Sequence, residues 1–397
     1  MSATGIVEPG RSRDVDAQLI KLRILQREHT FWTNPLLAGF AQGAFSRADL
    51  SYIYAQYHLY SKNFTRFIAA VMANCESDLF RAQLSENLWE EGGGCEPERR
   101  HAQLFRNFLR GALGVDDPGA IVYAPFTRHF VREYLVHCLR SEPMAGAAFL
   151  SLGTEGIVAR LYEIMLTGLR AAGIGEADLE FFHLHISCDD EHAVTLENMM
   201  ASYAREPGWF DACVAAMNRA LELRDEFFTN LYTTLRLRRL EPIVARMQHH
   251  ESLARGVPDD QLLHRNGESA DLLYASEVEK LNVQFTVDRL PLASEVLDPR
   301  MVRIPAGKFN EKHKHAHETL IHILAGTGQV LVDDRMLPVG PGDSVLVPRW
   351  ALHQTQNTGD HEMQFLAVTD FKLSQQAYLG DPTAYRLHPD ADARRRR

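Results

Sequence analysis

The chain lacks several features that would point to other classes of protein. It has no run of about eighteen apolar residues, so the sequence predicts no membrane-spanning helix. Residues 1–15 lack the apolar core of a signal peptide, and we expect a cytoplasmic protein. The 5 cysteines are odd in number and form no CxxC pair, which disfavours a disulfide framework and a cysteine zinc site. The net charge of −10 disfavours nucleic-acid binding.

Histidine, in contrast, is plentiful and unevenly spread. The chain has 18 histidines, and two groups stand out: His183, His185 and His192, then His313, His315, His317 and His322. Clusters of this kind suggest metal binding, although histidine-rich surface loops would give the same count. The positions of the histidines on helices and strands must therefore decide between the two interpretations.

The spacing of apolar residues changes once along the chain. Apolar residues recur every three or four positions over 14–238, which is typical of amphipathic helices, with breaks at glycine- and proline-containing turns. Short apolar runs separated by Gly, Asp and Pro follow over 283–371 and indicate strands. We predict an α plus β protein of two domains, an all-α helical bundle followed by an all-β barrel. The predicted segments are a helical domain at 14–240, a helical linker at 241–276, a barrel at 277–378 and a tail at 379–397.

One helix combines a carboxylate with two imidazoles. His185, Asp189 and His192 are separated by four and seven residues, which places them on one face of a helix. A carboxylate between two imidazoles is a suitable ligand set for iron or manganese. A solvated polar face would give the same pattern. His183 points to the other side of the helix, and we interpret it as structural.

Two further signals lie on other predicted helices. Glu91 ends a helix before Gly92-Gly93-Gly94, and His101 begins the next helix. A helix end with solvated glutamates is the alternative interpretation of the first signal. Glu155 lies in an apolar helix, where a carboxylate is costly unless it is paired or binds a metal. A surface position, or a pair with Arg160, is the alternative for the second.

The order of these residues resembles that of the heme-oxygenase-like diiron oxidases. The shared pattern is Glu, ten residues later His, then Glu, and finally His-x-x-x-Asp-x-x-His, and the resemblance covers residues 24–235. It implies a helical fold like that of TenA and PqqC, two Fe(II) ions and dioxygen as cosubstrate. The implied ligands are Glu91, His101, Glu155, His185, Asp189 and His192. These ligand types do not distinguish iron from manganese.

The chain departs from this family at one position. Some members carry a further carboxylate ligand on the preceding core helix, where this sequence has no acid before Glu76. His58 or a water molecule is then the candidate for the missing ligand, and Glu90 is an alternative to Glu91. By analogy with the family, Tyr54, Tyr57 and Arg66 are candidates for lining a substrate pocket, although core and surface roles explain each of them singly.

The second domain contains two motifs that resemble those of cupins. The first begins at Gly307 and contains His313-x-His315, and the second runs from Gly342 to Asn357 and contains His353. Alternate residues of a strand face the same side, so three imidazoles would point into the barrel and suit one Fe(II). Cupins commonly have a glutamate ligand where this chain has Thr319, and Glu318 would face away. His317 could add a fourth imidazole, and a structural or dimerising cupin without metal is the alternative.

The pairing of a diiron domain with a cupin is similar to that in the N-nitroso-forming enzymes of streptozotocin biosynthesis. This resemblance implies a natural-product monooxygenase, an N-oxygenase acting on an amine, guanidine or amino-acid-like substrate, with further oxidation or rearrangement at the cupin. It also implies an external electron donor and a homodimer, with neither nucleic acid nor membrane as a partner. Diiron C–C cleavage or desaturation of an amino or fatty acid is an alternative. A non-enzymatic cupin sensor on a metal-free TenA-like bundle is another.

Overall fold

The structure, a computed structural model, describes residues 13–248, 256–265, 268, 270–378 and 385–386, except for the side chains of 187–192 and 385–386. The chain divides into two compact units between Leu235 and Arg236. The first unit is helical and the second is rich in strands, as the apolar spacing predicts. Among the described residues, no helix is both long enough and apolar enough to span a membrane.

The helices between residues 13 and 248 begin and end close to the predicted turns. The glycine- and proline-containing breaks at 92–94, 116–119, 173–175 and 207–208 all lie between helices. The helices are α1 (Arg13–Glu28), α2 (Pro35–Ala41), α3 (Arg47–Ser61), α4 (Phe64–Asn74), α5 (Asp78–Glu91), α6 (His101–Leu113), α7 (Pro125–Arg140), α8 (Pro143–Leu150), α9 (Gly156–Ala171), α10 (Glu180–Ser202) and α11 (Trp209–Gln248).

A π-helical turn, Ser151–Glu155, joins α8 to α9. The sequence predicts one continuous helix here, and the wider turn was not anticipated. Gly153 packs against α11 so closely that an added Cβ would lie 2.2 Å from the Cβ of Ala220. The buried side chain of Gln26 donates a hydrogen bond of 2.5 Å to the Leu152 carbonyl. The turn is therefore held on two sides, and it ends at Glu155.

The second unit consists of two antiparallel sheets. One has the strand order β1-β2-β3-β10-β5-β8 and the other β11-β4-β9-β6-β7. The strands are β1 (Asp271–Val278), β2 (Val283–Arg289), β3 (Asp298–Ile304), β4 (His313–Lys314), β5 (Thr319–Ala325), β6 (Gly328–Val332), β7 (Arg335–Val339), β8 (Ser344–Val347), β9 (His353–Asn357), β10 (Met363–Thr369) and β11 (Tyr385–Arg386). Two short helices, α12 (Asp259–Leu262) and α13 (Phe371–Ala377), flank them.

Alternation along the strands produces the core of this unit. In β10, every second residue from Met363 to Thr369 is buried. β9 shows the same pattern, with His353, Thr355 and Asn357 buried. Because successive side chains of a strand point to opposite faces, these residues share one interior with Val283, Phe285 and Ile323. The interior therefore contains both an apolar core and the imidazole of His353.

The segment predicted as a helical linker, 241–276, contains the ends of two regular elements. Helix α11 continues to Gln248 and β1 begins at Asp271. The short helix α12 lies between them.

Candidate metal centres

The first cluster begins at the glycine turn between α5 and α6. Gly93 has a positive φ of 84°, and an added Cβ would lie 2.5 Å from the Glu96 carbonyl oxygen. The position therefore requires glycine, and the turn reverses the chain so that Glu91 and His101 face each other. Nδ1 of His101 lies 2.8 Å from Oε2 of Glu91, and both side chains are buried. Glu90 is exposed, so the structure selects Glu91 of the two neighbouring glutamates.

His185 on α10 completes this cluster. Its Nε2 lies 2.9 Å from Nδ1 of His101, while its Nδ1 lies 2.6 Å from the carbonyl oxygen of Phe181. The bond to the carbonyl fixes the tautomer in which Nδ1 carries the proton and Nε2 offers the lone pair. Candidate donor atoms of Glu91, His101 and His185 all lie within 4.8 Å of one another. One carboxylate and two imidazoles at this spacing fit an iron ion.

Glu155, from the end of the π-helical turn, lies beside this cluster. It is 5% exposed and lines a narrow cavity together with His101 and His185. The cavity has a volume of about 20 Å³, enough for about one water molecule. A second carboxylate therefore faces the same space as the two imidazoles. The side chains of the other predicted ligands, Asp189 and His192, lie outside the described part of the chain.

The remaining candidates in the helical unit lie elsewhere. His58 is buried, but its Nδ1 bonds the Tyr123 hydroxyl at 2.9 Å, and it is not among the residues that line the narrow cavity. Tyr54 is buried among Phe108, Phe182 and other aromatic rings. Of the three predicted pocket residues only Tyr57 lines the cavity, because Tyr54 faces the aromatic core and Arg66 is exposed. His183 is exposed and bonds Glu176 at 2.8 Å, in agreement with a structural role.

The sequence interpretation overlooked Arg224, which also lines the cavity. Arg224 is 1% exposed and lies on α11. The sequence pattern does mark Arg224 as unusual, because its neighbours on the helix are apolar. These neighbours, Ala220, Leu221, Phe227 and Phe228, are all buried. An arginine on the apolar face of an amphipathic helix is rarely buried without a specific role.

The second cluster is built by two strands of the barrel. His313 on β4 pairs directly with His353 on β9, and His315 follows two residues after His313. Candidate donor atoms of these three histidines lie within 4.8 Å of one another. Nδ1 of each ring lies close to a backbone carbonyl oxygen, at 2.9 Å from Glu311, 2.9 Å from His317 and 3.0 Å from Ala351. These bonds leave Nε2 of each ring as the metal-binding atom, and three imidazoles fit an iron ion.

Burial keeps two of these imidazoles neutral. It lowers the pKa of His315 to about 2, with further contributions from the neighbouring His317 and His353. Burial also lowers the pKa of His353. A neutral imidazole retains the lone pair that a metal ion needs, so the interior favours metal binding over protonation.

Next to the three histidines, residues 317–320 alternate between buried and exposed, as neighbouring residues on a strand do. Thr319 is buried and Glu318 is exposed, so no carboxylate occupies the position of the usual cupin glutamate. The ring of His317 is stacked on that of His315 with 3.4 Å between centroids, and His317 is not part of the three-histidine group.

The barrel interior around the histidines is a cavity of about 270 Å³. Its wall includes two arginines that share one buried carboxylate. Nε of Arg289 lies 3.0 Å from Oδ1 of Asp298, and Nη2 of Arg300 lies 2.6 Å from Oδ2. Two cations on one anion leave the wall with a net positive charge, which the sequence motifs did not reveal.

Comparison with known protein families assigns both units. Residues 52–225 match the model of a family described as iron-containing redox enzymes, of the haem-oxygenase-like type. Residues 300–369 match the model of the cupin domain. The chain thus joins an iron-containing redox enzyme domain to a cupin domain. The first cluster lies in the segment that matches the redox enzyme family, and the second lies in the segment that matches the cupin domain.

The similarity to individual proteins is confined to short segments. A 5-aminosalicylate 1,2-dioxygenase of Comamonas is 27% identical over 104 residues, 26% of this chain and 26% of that protein. A 1-methylthio-D-xylulose 5-phosphate methylsulfurylase of Rhodospirillum rubrum is 35% identical over 60 residues, 15% of this chain and 37% of that protein. The matches therefore span 26% of the length of the first relative and 37% of the length of the second.

Two solved cupin structures resemble part of the chain, with low sequence identity. A cupin-2 domain protein of Rhodospirillum rubrum is 21% identical, with a TM-score of 0.26, over 34% of this chain and 84% of that structure. A cupin 2 conserved barrel protein of Rhodopseudomonas palustris is 24% identical, with a TM-score of 0.25, over 32% of this chain and 80% of that structure.

Proposed function

We propose that the redox enzyme domain binds two iron ions and uses dioxygen to oxygenate a nitrogen of an amine, guanidine or amino-acid-like substrate. The observation that carries this proposal is the buried group of Glu91, His101 and His185, with Glu155 on the same cavity. Imidazoles and carboxylates are the ligands that non-haem iron oxygenases use, and helical bundles that point such groups inward hold iron pairs. The second iron would draw on Glu155 together with the predicted ligands Asp189 and His192.

The proposed reaction needs an external electron donor. One oxygen atom of dioxygen enters the N–H bond of the substrate, and the other leaves as water. The balance requires two electrons and two protons from outside the substrate. When iron is bound, it would activate dioxygen. The chain supplies a narrow cavity that is lined by Tyr57, Phe64 and Leu161 and that excludes bulk water.

We further propose that the cupin oxidises or rearranges the N-oxygenated product at a single iron held by His313, His315 and His353. The cavity of about 270 Å³ beside these residues has room for a small molecule. The resemblance of a segment of the chain to a dioxygenase is consistent with dioxygen chemistry. We place the enzyme in the cytoplasm, as a homodimer in natural-product biosynthesis.

Oxidative C–C cleavage or desaturation by the same iron pair is the second candidate. It is favoured by the largely apolar and aromatic lining of the narrow cavity, which would also suit an alkyl chain. Product analysis separates the two reactions, because N-oxygenation retains every carbon–carbon and carbon–hydrogen bond of the substrate.

The test is the iron content of the full chain after anaerobic loading, with Mössbauer spectra before and after exposure to dioxygen. The proposal expects about three iron ions per chain, two of which become magnetically coupled after oxidation. A single uncoupled iron would contradict the iron pair and leave a mononuclear cupin enzyme or a sensor. Amine, guanidine and fatty-acid substrates are then screened by dioxygen consumption and mass spectrometry of the products.

A further inference from the structure

Arg224 is a cation in the interior of the helical unit, and it forms no ion pair with a carboxylate of the described residues. Only 1% of the residue is exposed. Transfer of a guanidinium from water to a protein interior is costly unless an opposite charge accompanies it. Such a residue is expected to have an anionic partner that is not part of the described chain.

The hydrogen bonds of Arg224 are all to tyrosine hydroxyls, and two of them are long. Nη2 donates to Tyr60 at 2.9 Å and to Tyr134 at 3.3 Å, and Nη1 donates to Tyr57 at 3.4 Å. Nε has no acceptor in the described part of the chain. Burial raises the pKa of Tyr60 and of Tyr134, so both hydroxyls remain neutral. The group therefore retains the full positive charge of the guanidinium.

The position of Arg224 limits where an anion could bind. Arg224, Glu155, His101 and His185 line the same narrow cavity. The Tyr134 hydroxyl also bonds Oγ1 of Thr154 at 2.6 Å, next to Glu155 in the chain. An anion on Arg224 would thus lie in the cavity that the proposed iron ligands face.

We propose that Arg224 binds the carboxylate of the substrate and thereby directs the opposite end of the substrate toward Glu91, His101 and His185. This inference rests on the proposed function and specifies its substrate class as carboxylic acids. A guanidinium binds a carboxylate through two parallel charge-assisted hydrogen bonds, for which the neighbouring Nε and Nη2 provide the donors.

Binding requires the cavity to widen. Its volume of about 20 Å³ is that of about one water molecule, which is smaller than a carboxylate-bearing substrate. The hydrogen bond of 3.3 Å from Nη2 to Tyr134 is longer than an ordinary hydrogen bond, and it is the one that a carboxylate on Nε and Nη2 would replace. The tyrosine hydroxyls therefore act as substitutes for the anion in the free protein.

The experiment measures ligand binding to the metal-free full chain by calorimetry, which needs no activity. The probes are three acids, each with a matched compound that lacks the carboxylate: L-arginine with agmatine, L-lysine with cadaverine, and octanoate with 1-octanol. The variants are R224M and R224K, with R219M as the control. Arg219 lies on the same helix but is exposed, and its Nη2 lies 3.9 Å from Oε2 of Glu133.

We expect at least one acid to bind the unmodified protein about ten- to a hundredfold more tightly than its matched compound, as is typical for a charged hydrogen-bonded pair. R224M should lose this preference, R224K should retain part of it, and R219M should retain all of it. Circular dichroism confirms that each variant is folded.

Three results would overturn the inference: an unchanged preference in R224M, matched compounds that bind as tightly as the acids, or binding of none of the acids. The proposed function fails separately, through the absence of coupled iron and dioxygen consumption in the iron-loaded protein. An R224M variant that keeps the coupled iron pair but lacks the carboxylate preference would support both proposals.

Discussion

Glu90 and Glu91 are adjacent in the chain but have opposite surroundings. Glu90 is exposed, and Glu91 is buried against His101. We expect Glu91→Gln to weaken iron binding by the helical unit at least about tenfold, because an amide replaces an anionic ligand. Glu90→Gln should leave it unchanged. Iron retained by the two variants during competition with a chelator measures the effect, and equal losses would show that neither glutamate is the specific ligand.

His58 is expected to make the stability of the helical unit sensitive to acid. Burial, together with Lys62 and Arg106, lowers its pKa to about 4, compared with 6.5 for an exposed histidine. The unfolded chain therefore takes up a proton between pH 6.5 and 4 that the folded chain does not, and stability falls as the pH falls through this range. At pH 5 the loss is about 1 kcal/mol after allowance for solvent screening.

The measurement is urea unfolding of the full chain at pH 7 and pH 5, followed by far-ultraviolet circular dichroism. His58→Phe should reduce the difference between the two pH values, since Phe does not titrate and fits beside Phe105. His129→Phe, at an exposed histidine, is the matched control. An identical pH dependence in His58→Phe and the unmodified protein would contradict the assignment.

Residue spacing together with the resemblance to two families led to Glu91, His101, His185 and the three cupin histidines as candidates, and the structure brings each group together. Arg224 could not be interpreted in the same way. Its significance depends on which side chains from α3 and α7 surround it, and no local pattern shows that those side chains are neutral tyrosines. The surroundings of His58 could not be predicted from local sequence either, because its hydrogen bond to Tyr123 joins residues that are 65 positions apart.

At the scale of elements, the boundaries of most helices follow from glycine and proline, but the π-helical turn does not. Its sequence, SLGTE, contains ordinary helix residues and one glycine. The turn is selected by tertiary contacts, namely the close approach of Gly153 to Ala220 and the hydrogen bond from Gln26. Such contacts form between segments that are far apart in the chain, so apolar periodicity predicts one continuous helix instead.

The close approach at Gly153 gives a prediction for the turn. Gly153→Ala should destabilise the protein by about 1–3 kcal/mol, because the new Cβ would overlap that of Ala220. It should also lower iron binding, since Glu155 lies two residues further along. Ala220→Gly removes the opposing Cβ, so the double variant should recover most of the iron binding.

Gly175→Ala is the control for this pair, because an added Cβ there has nothing within 4 Å. Urea unfolding and iron content are measured for the unmodified protein, Gly153→Ala, Ala220→Gly, the double variant and Gly175→Ala. If Ala220→Gly does not restore any of the loss, the cost of Gly153→Ala has a cause other than this contact.

At the scale of the whole molecule, each metal cluster takes its described donors from a single unit. Glu91, His101 and His185 belong to the first unit, and His313, His315 and His353 belong to the second. The two sites should therefore load independently, as sites without shared partners generally do.

The prediction is tested with His101→Ala, His353→Ala and the double variant. Each single variant should lose only the iron of its own unit, and the loss in the double variant should equal the sum of the two. Iron per chain and Mössbauer signals give the count. Loss of the coupled pair in His353→Ala would show that the cupin controls loading of the helical unit.

The bonds from the histidine rings to backbone carbonyls also provide a spectroscopic label. In His185, His313, His315 and His353, Nδ1 bonds a carbonyl oxygen while Nε2 is the proposed metal-binding atom. Each Nδ1 proton would then be held against exchange with solvent and lie three bonds from a coordinated nitrogen. With a paramagnetic ion such as cobalt(II), these protons should give separate far-shifted proton resonances that exchange slowly in heavy water. Their number would report, in one spectrum of the intact protein, how many of these four imidazoles hold metal.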